Sequence, residues 1–316
     1  MTPNRIILLV SLSFNMLILN GQDLDYLNND NYYTILNGAY GSYERNSFDI
    51  IIPKKDVEHG LVIFIHGGGF QHGDKKALYK RKQDIKTFLE NNIAVATINY
   101  RFYKNNDSLG VKVSLQDIKR AIQYFRFNAS KFNIDKERVG CYGGSAGAGS
   151  SLYFAYHDDL AIQGDTTLLG ESTRLKCVGA IATQATYNVF KWKKIIPFMS
   201  LLVPLKRKQF YDAAANFYGY PKYKPFKKQV RKASESLDML TMIDSEDPPT
   251  YLMNLMEANF PKNNNIIQHH RKHAVAVSRK LDKANVINYV YTSKNAESEK
   301  TIDFKISDFM VKFLKE

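Results

Sequence analysis

Arg138-Val139-Gly140-Cys141-Tyr142-Gly143-Gly144-Ser145-Ala146-Gly147-Ala148-Gly149 is the stretch whose reading decides the fold. Within it, residues 143–147 spell G-x-S-x-G. That pattern puts a serine on a strained turn between a buried strand and a helix. Its glycines are a steric requirement, because Cβ atoms beside the serine would collide with neighbouring backbone. The flanks agree: Val139 to Tyr142 is a short strand-like run, and Ala148 to Tyr156 continues as a helix. Ser145 is the candidate nucleophile, and the rest of the chain must supply its base and the donors for a developing anion.

Upstream, Asn28 to Ser47 is a polar lead-in. Phe48 to Ile52 reads as a strand closed by Pro53, and Leu61 to Ile65 as a central strand buried on both faces. A helix over Lys75 to Glu90 precedes a further strand at Ile93 to Ile98, and Ser114 is the expected N-cap of the next helix. Downstream come a strand at Cys177 to Ala182, a strand at Thr250 to Met256 and a helix at His270 to Ala284. A last strand at Val286 to Tyr291 and an amphipathic helix at Ile302 to Leu314 complete the chain. Strand and helix alternate, which predicts an α/β fold: a mostly parallel sheet with helices on both faces. Residues 184–245 break the rhythm, being aromatic, basic and dotted with prolines, and are read as a cap insertion over the C-terminal edge of the sheet.

The chain has 316 residues, 44% of them hydrophobic and 13% aromatic, enough to bury one large core. Residues 1–21 carry Arg5, then an apolar run of 14 residues from Ile6 to Leu19, and a small residue at Gly21. This predicts an export signal, and hence a secreted or periplasmic protein whose remaining residues, 22–316, form the folded domain. A buried N-terminal helix is the alternative. Cys141 and Cys177 each lie in an apolar run and are expected as buried thiols, although an exported protein could also bridge them. The net charge is +13, with much of the excess between Lys191 and Lys232. A solvated lysine-rich face accounts for this, and an anionic substrate or membrane surface is the alternative; no nucleic-acid module is present.

A second glycine cluster, His66-Gly67-Gly68-Gly69, follows the strand at Leu61 to Ile65. Without side chains, Gly67, Gly68 and Gly69 can turn backbone N–H groups toward a substrate carbonyl, and the N–H of Ala146 completes such a hole. At these residues, with Asn99-Tyr100-Arg101-Phe102, Gln116-Asp117-Ile118, Asn133-Ile134-Asp135 and Asp247-Pro248-Pro249, the chain resembles the α/β-hydrolase superfamily. The resemblance is to the carboxylesterase and lipase branch with an H-G-G-G loop, hormone-sensitive-lipase-like or feruloyl and acetylxylan esterase-like. It covers residues 45–160 closely and 240–316 loosely. It implies hydrolysis of carboxylic esters through an acyl-enzyme at Ser145, without cofactor or metal, on small esters that include acylated carbohydrates.

The base is where the chain departs from that pattern. In this family a histidine follows the last strand, and no histidine occurs here beyond His273. The histidines nearest that edge are His269-His270-Arg271-Lys272-His273, read as the start of the helix after the penultimate strand. His270 or His273 is the expected base and Glu257 the expected acid, with Asp244 and Glu246 as alternatives and Asp247 read as a turn residue. Asn263-Asn264-Asn265 lies about where the family carries its acid. Two readings stand: an esterase with a relocated base, or an inactive hydrolase that keeps the pocket to bind a ligand or partner.

Overall fold

Strands covered on both faces need no polar side, and the apolar runs Leu61–Ile65 and Ile93–Ile98 become interior strands of the sheet. In the computed structural model, which describes residues 31–315 except 106, 257–259, 262 and 294–304, every residue of β3 (His59–Ile65) and β4 (Ile93–Ile98) is buried. The expected export segment lies outside the described residues. With β1 (Tyr32–Ala39), β2 (Ser47–Pro53), β5 (Ile134–Gly144), β6 (Val178–Ile181), β7 (Thr250–Asn254) and β8 (Asn288–Thr292), they form one sheet. Its eight strands run in the order β1-β2-β4-β3-β5-β6-β7-β8. The pairs β1–β2 and β2–β4 are antiparallel and all the others parallel.

Alternate side chains of β3 enter opposite layers, as the two-residue period of a strand requires. Leu61, Ile63 and Ile65 pack with Ile118, Ile122 and Phe125 of helix Lys112–Phe127 and with Leu152 of helix Ala146–Tyr156. Val62 and Phe64 pack on the other face, with Phe88 of helix Lys82–Glu90 and Phe309 and Met310 of helix Ile306–Lys315. Cys141 and Cys177 are both free and buried, and burial pushes the Cys141 thiol up to about 12.

Several expected elements change. The polar lead-in contains β1, whose residues are mostly exposed. An edge strand in water needs no apolar face, so its sequence carries no period. The helix expected over Lys75–Glu90 is divided at Arg81 into a 3-10 turn, Lys75–Lys80, and the helix Lys82–Glu90. Ser114 is not an N-cap. The left-handed turn at Gly110 (φ 52°) starts the helix at Lys112, and the Ser114 hydroxyl donates to the Arg101 carbonyl at 2.6 Å. The helix expected from His270 begins at Lys272, and a separate helix, Asn264–His269, precedes it.

Between β6 and β7 lie the helices Met199–Leu205, Arg207–Phe217 and Lys227–Glu235. The last two are joined through Phe190, which lies 5.6 Å from Tyr211 and 5.9 Å from Tyr223, with the Arg231 guanidinium 3.9 Å above its ring. Tyr187 and Phe217 reach Phe70 at 5.5 and 6.3 Å, so this segment packs over the loop that follows β3.

Candidate active site

β5 ends at Gly144 and helix Ala146–Tyr156 starts two residues later, so one residue must turn the chain through a sharp corner. Ser145 does so at φ 54°, ψ −116°, a conformation a side chain tolerates only where its surroundings enforce it. The enforcement is visible. The Ser145 N–H donates to the Ile181 carbonyl at the end of β6 at 2.9 Å. A Cβ on Gly147 would stand 1.9 Å from the Ile65 carbonyl, so only glycine lets the helix start so close to β3.

The loop after β3 lies against this corner. A Cβ on Gly67 would meet the Gly144 carbonyl at 2.7 Å. Gly68 takes φ 113°, a region that side chains avoid. The N–H groups of Gly68, Gly69 and Ala146 find no acceptor among the described residues, which leaves them free to receive an anionic oxygen. The loop is held from behind. His66 stacks on Tyr100 at 4.3 Å between ring centres, and its Nδ1 donates to the Gly67 carbonyl at 2.7 Å. Burial lowers its pKa to about 4, so the ring is neutral and acts as scaffold. Arg45 donates to the Tyr100 carbonyl at 2.8 Å, the Gly73 carbonyl at 3.1 Å and Asn99 Oδ1 at 3.2 Å. Nothing in the polar lead-in marked Arg45 for this task; its partners include the backbone carbonyls of Tyr100 and Gly73, which sequence does not display.

The imidazole at Ser145 belongs to His269. The Ser145 hydroxyl lies 2.7 Å from His269 Nε2, and His269 Nδ1 lies 2.7 Å from Asn265 Oδ1. An amide oxygen only accepts, so Nδ1 carries the proton and Nε2 presents its lone pair to the serine. Asn265 and His269 are four residues apart on helix Asn264–His269, hence on one face. The Asn263 side chain caps that helix by accepting from the Ile266 N–H at 2.9 Å. Burial lowers the pKa of His269 below the usual imidazole value, and its bond with Asn265 works the other way.

The expected bases are elsewhere. His273 is fully buried: its Nδ1 accepts from the Ala185 N–H at 3.1 Å and its Nε2 donates to the Ile267 carbonyl at 2.9 Å. Burial lowers its pKa to about 3, so it clamps helix Asn264–His269 in neutral form. His270 is also buried, its Nδ1 accepting from the Lys272 N–H at 3.1 Å. Neither is the imidazole that meets Ser145, because the chain turns between the two helices and sends these rings inward. Glu257 lies outside the described residues. Asp247 receives the Asp244 N–H at 3.0 Å as a turn residue, and burial raises its carboxyl to about 7.

Asn254, at the end of β7, is the residue sequence reading missed altogether. Its Oδ1 accepts from the Thr183 N–H at 2.9 Å. Its Nδ2 donates to the carbonyls of Thr183 at 2.9 Å, His270 at 3.3 Å and His269 at 3.4 Å. A single buried amide thus ties the end of β6 to the backbone of the histidine. A buried polar residue closing an apolar strand was the only available signal.

The family model BD-FAE matches residues 48–259. Chlorogenic acid esterase from Aspergillus niger is 31% identical over 101 residues, covering 30% of this chain and 20% of that protein. Gut esterase 1 from Caenorhabditis elegans is 26% identical over 118 residues, covering 35% of this chain and 21% of that protein. The chain therefore spans about a fifth of the length of these curated relatives. Among solved structures, a truncated carbohydrate esterase from gut microbiota superposes with a TM-score of 0.60 at 18% identity, over 90% of this chain and 96% of that one. Esterase B from Lactobacillus rhamnosis gives 0.54 at 16% identity, over 86% and 79%. At such identities the superpositions establish the α/β-hydrolase fold, and with most of the sequence from β2 to the loop after β7 matched by one family model, the chain belongs to the BD-FAE family of esterase-like α/β-hydrolases.

Proposed function

We propose that this protein is a serine carboxylic-ester hydrolase in which Ser145 is the nucleophile, His269 the base and Asn265 the group that orients the base. The observation that carries the reading is the 2.7 Å contact between the Ser145 hydroxyl and His269 Nε2, with the ring's other nitrogen held at 2.7 Å by Asn265. His269 takes the hydroxyl proton as Ser145 Oγ attacks the ester carbonyl, and the N–H groups of Gly68, Gly69 and Ala146 receive the oxyanion. The tetrahedral species collapses, the C–O bond to the alcohol breaks, and the leaving oxygen takes the proton from His269. Water, deprotonated by the same imidazole, then hydrolyses the acyl-serine and releases the carboxylic acid.

Asparagine in place of a carboxylate fixes the ring by its dipole but adds no negative charge beside the imidazolium. The base therefore keeps the productive tautomer while receiving less electrostatic support in the transition state. Esters of small or medium acyl groups, including acylated carbohydrates, are the proposed substrates. The relatives' names, chlorogenic acid esterase and carbohydrate esterase, support that class. Export through the leader at residues 1–21 is part of the same proposal, and N-terminal sequencing of protein recovered from outside the cytosol checks it.

Hydrolysis of short-chain aryl esters by wild type, Ser145→Ala and His269→Ala tests the chemistry. Each variant should lose activity by on the order of 10³-fold or more. Wild type no faster than Ser145→Ala, and no labelling by a fluorophosphonate probe, would return the protein to a binding role.

A further inference from the structure

One cavity lined by several cations lies away from the serine. A cavity of about 570 Å³ opens between residues 193–200 and one face of helix Lys272–Lys283. Lys193, Lys194, Lys272, Arg279, Lys280 and Lys283 line it, no aspartate or glutamate does, and neither Ser145 nor His269 is part of it. Its other walls are mostly apolar, among them Ile195, Ile196 and Val275. Four of the cations and the apolar Val275 and Ala276 recur at 272, 275, 276, 279, 280 and 283, the spacing of a single helix face. Lys272 and Lys283 are eleven residue steps apart on the helix, which makes that row about 16 Å long. Its near end, Lys272, stands three residues beyond His269.

We propose that this cavity binds an acidic polysaccharide, a chain of sugars bearing several carboxylates, and holds it beside the active site. Cations in a row and of one sign match a ligand whose negative charges are also spaced along a chain; a single anion would use only one or two of them. The apolar walls suit the C–H faces of sugar rings. The cavity's position ties it to the hydrolase: a polymer lying along helix Lys272–Lys283 leads toward the segment that carries His269. The inference deepens the esterase reading by naming a substrate class, but binding itself does not depend on catalysis.

Affinity electrophoresis of the full chain in gels containing polygalacturonate, neutral arabinoxylan or no polymer separates the possibilities. Wild type and Ser145→Ala should both be retarded by polygalacturonate alone, so that a failure of the catalytic reading leaves this result standing. Lys280→Glu with Lys283→Glu, both exposed, should weaken retardation about tenfold while leaving aryl-ester hydrolysis unchanged. Lys227→Glu with Lys228→Glu, an equal change of charge on an exposed helix outside the cavity, should alter it by no more than about twofold. Equal weakening by both pairs would assign the effect to net charge and overturn the proposal. So would equal retardation by arabinoxylan, or stronger binding to phosphatidylglycerol vesicles than to polygalacturonate.

Discussion

The nucleophile corner and the base helix solve the same problem, holding one side chain in place, by opposite means. Ser145 is fixed by backbone: two parallel strands end beside it, glycine lets the following helix touch Ile65, and its own N–H is bound to β6. His269 sits at the end of a six-residue helix with an exposed polar face, fixed by the side chains of Asn263, Asn265, Asn254 and His273. Position set by backbone depends on small residues at fixed spacing. Position set by side-chain hydrogen bonds depends on polar residues whose partners are distant in sequence.

The sharpest way to break that contrast is Gly147→Val at the corner. Its Cβ would fall 1.9 Å from the Ile65 carbonyl, backbone against backbone, so folded soluble protein should be lost, as circular dichroism and yield would report. Asn254→Ala should act differently. The protein should fold, with a stability loss of about 1–3 kcal/mol in denaturant unfolding from the buried Thr183 N–H left unpaired. Ester kcat should fall by about 10- to 100-fold with KM little changed, because only the base is loosened. Equal damage from both substitutions would erase the distinction.

Asn265 sharpens the comparison at smaller scale. Asn265→Ala should lower kcat by about 10-fold or more through loss of ring orientation. Asn265→Asp should preserve geometry and place a negative charge beside the ring, raising the imidazole pKa. The proposed mechanism needs His269 neutral, so activity should rise as pH passes upward through its pKa. Burial sets that limb below the ordinary histidine value in wild type, and the aspartate variant should shift it to higher pH in a kcat/KM profile. An unmoved limb would show that another group titrates there.

The smallest expected effect lies on neither side. Asp247 has its folded carboxyl raised to about 7 by burial, so folding is penalised increasingly as pH climbs from the unfolded carboxylate value toward that point. Asp247→Asn can still accept the Asp244 N–H. It should raise Tm more at pH 8 than at pH 5, by a few degrees, and leave ester hydrolysis alone.

This contrast also explains what was legible in the sequence. The runs Leu61–Ile65 and Ile93–Ile98, the serine corner and the glycine loop could be read because apolar continuity and glycine spacing are local properties. The missing base could be read too, as an absence after the last strand. The choice among three histidines within five consecutive residues could not. A helix boundary between His269 and Lys272 decides which ring faces Ser145, and Asn263, an ordinary polar residue in a run of asparagines, sets the start of that helix. Arg45 and Asn254 were invisible for a related reason: each serves backbone carbonyls far away in sequence.

Because base and orienter ride the same turn and a half of helix, any motion of that helix keeps the His269–Asn265 pair together while parting it from Ser145. Helices this short have little stability of their own in water and borrow it from neighbouring packing. Local opening of these six residues should therefore need less free energy than unfolding of the sheet. Heat would silence the protein before it melted it, and cooling would restore it, making the residual rate a thermometer for one helix.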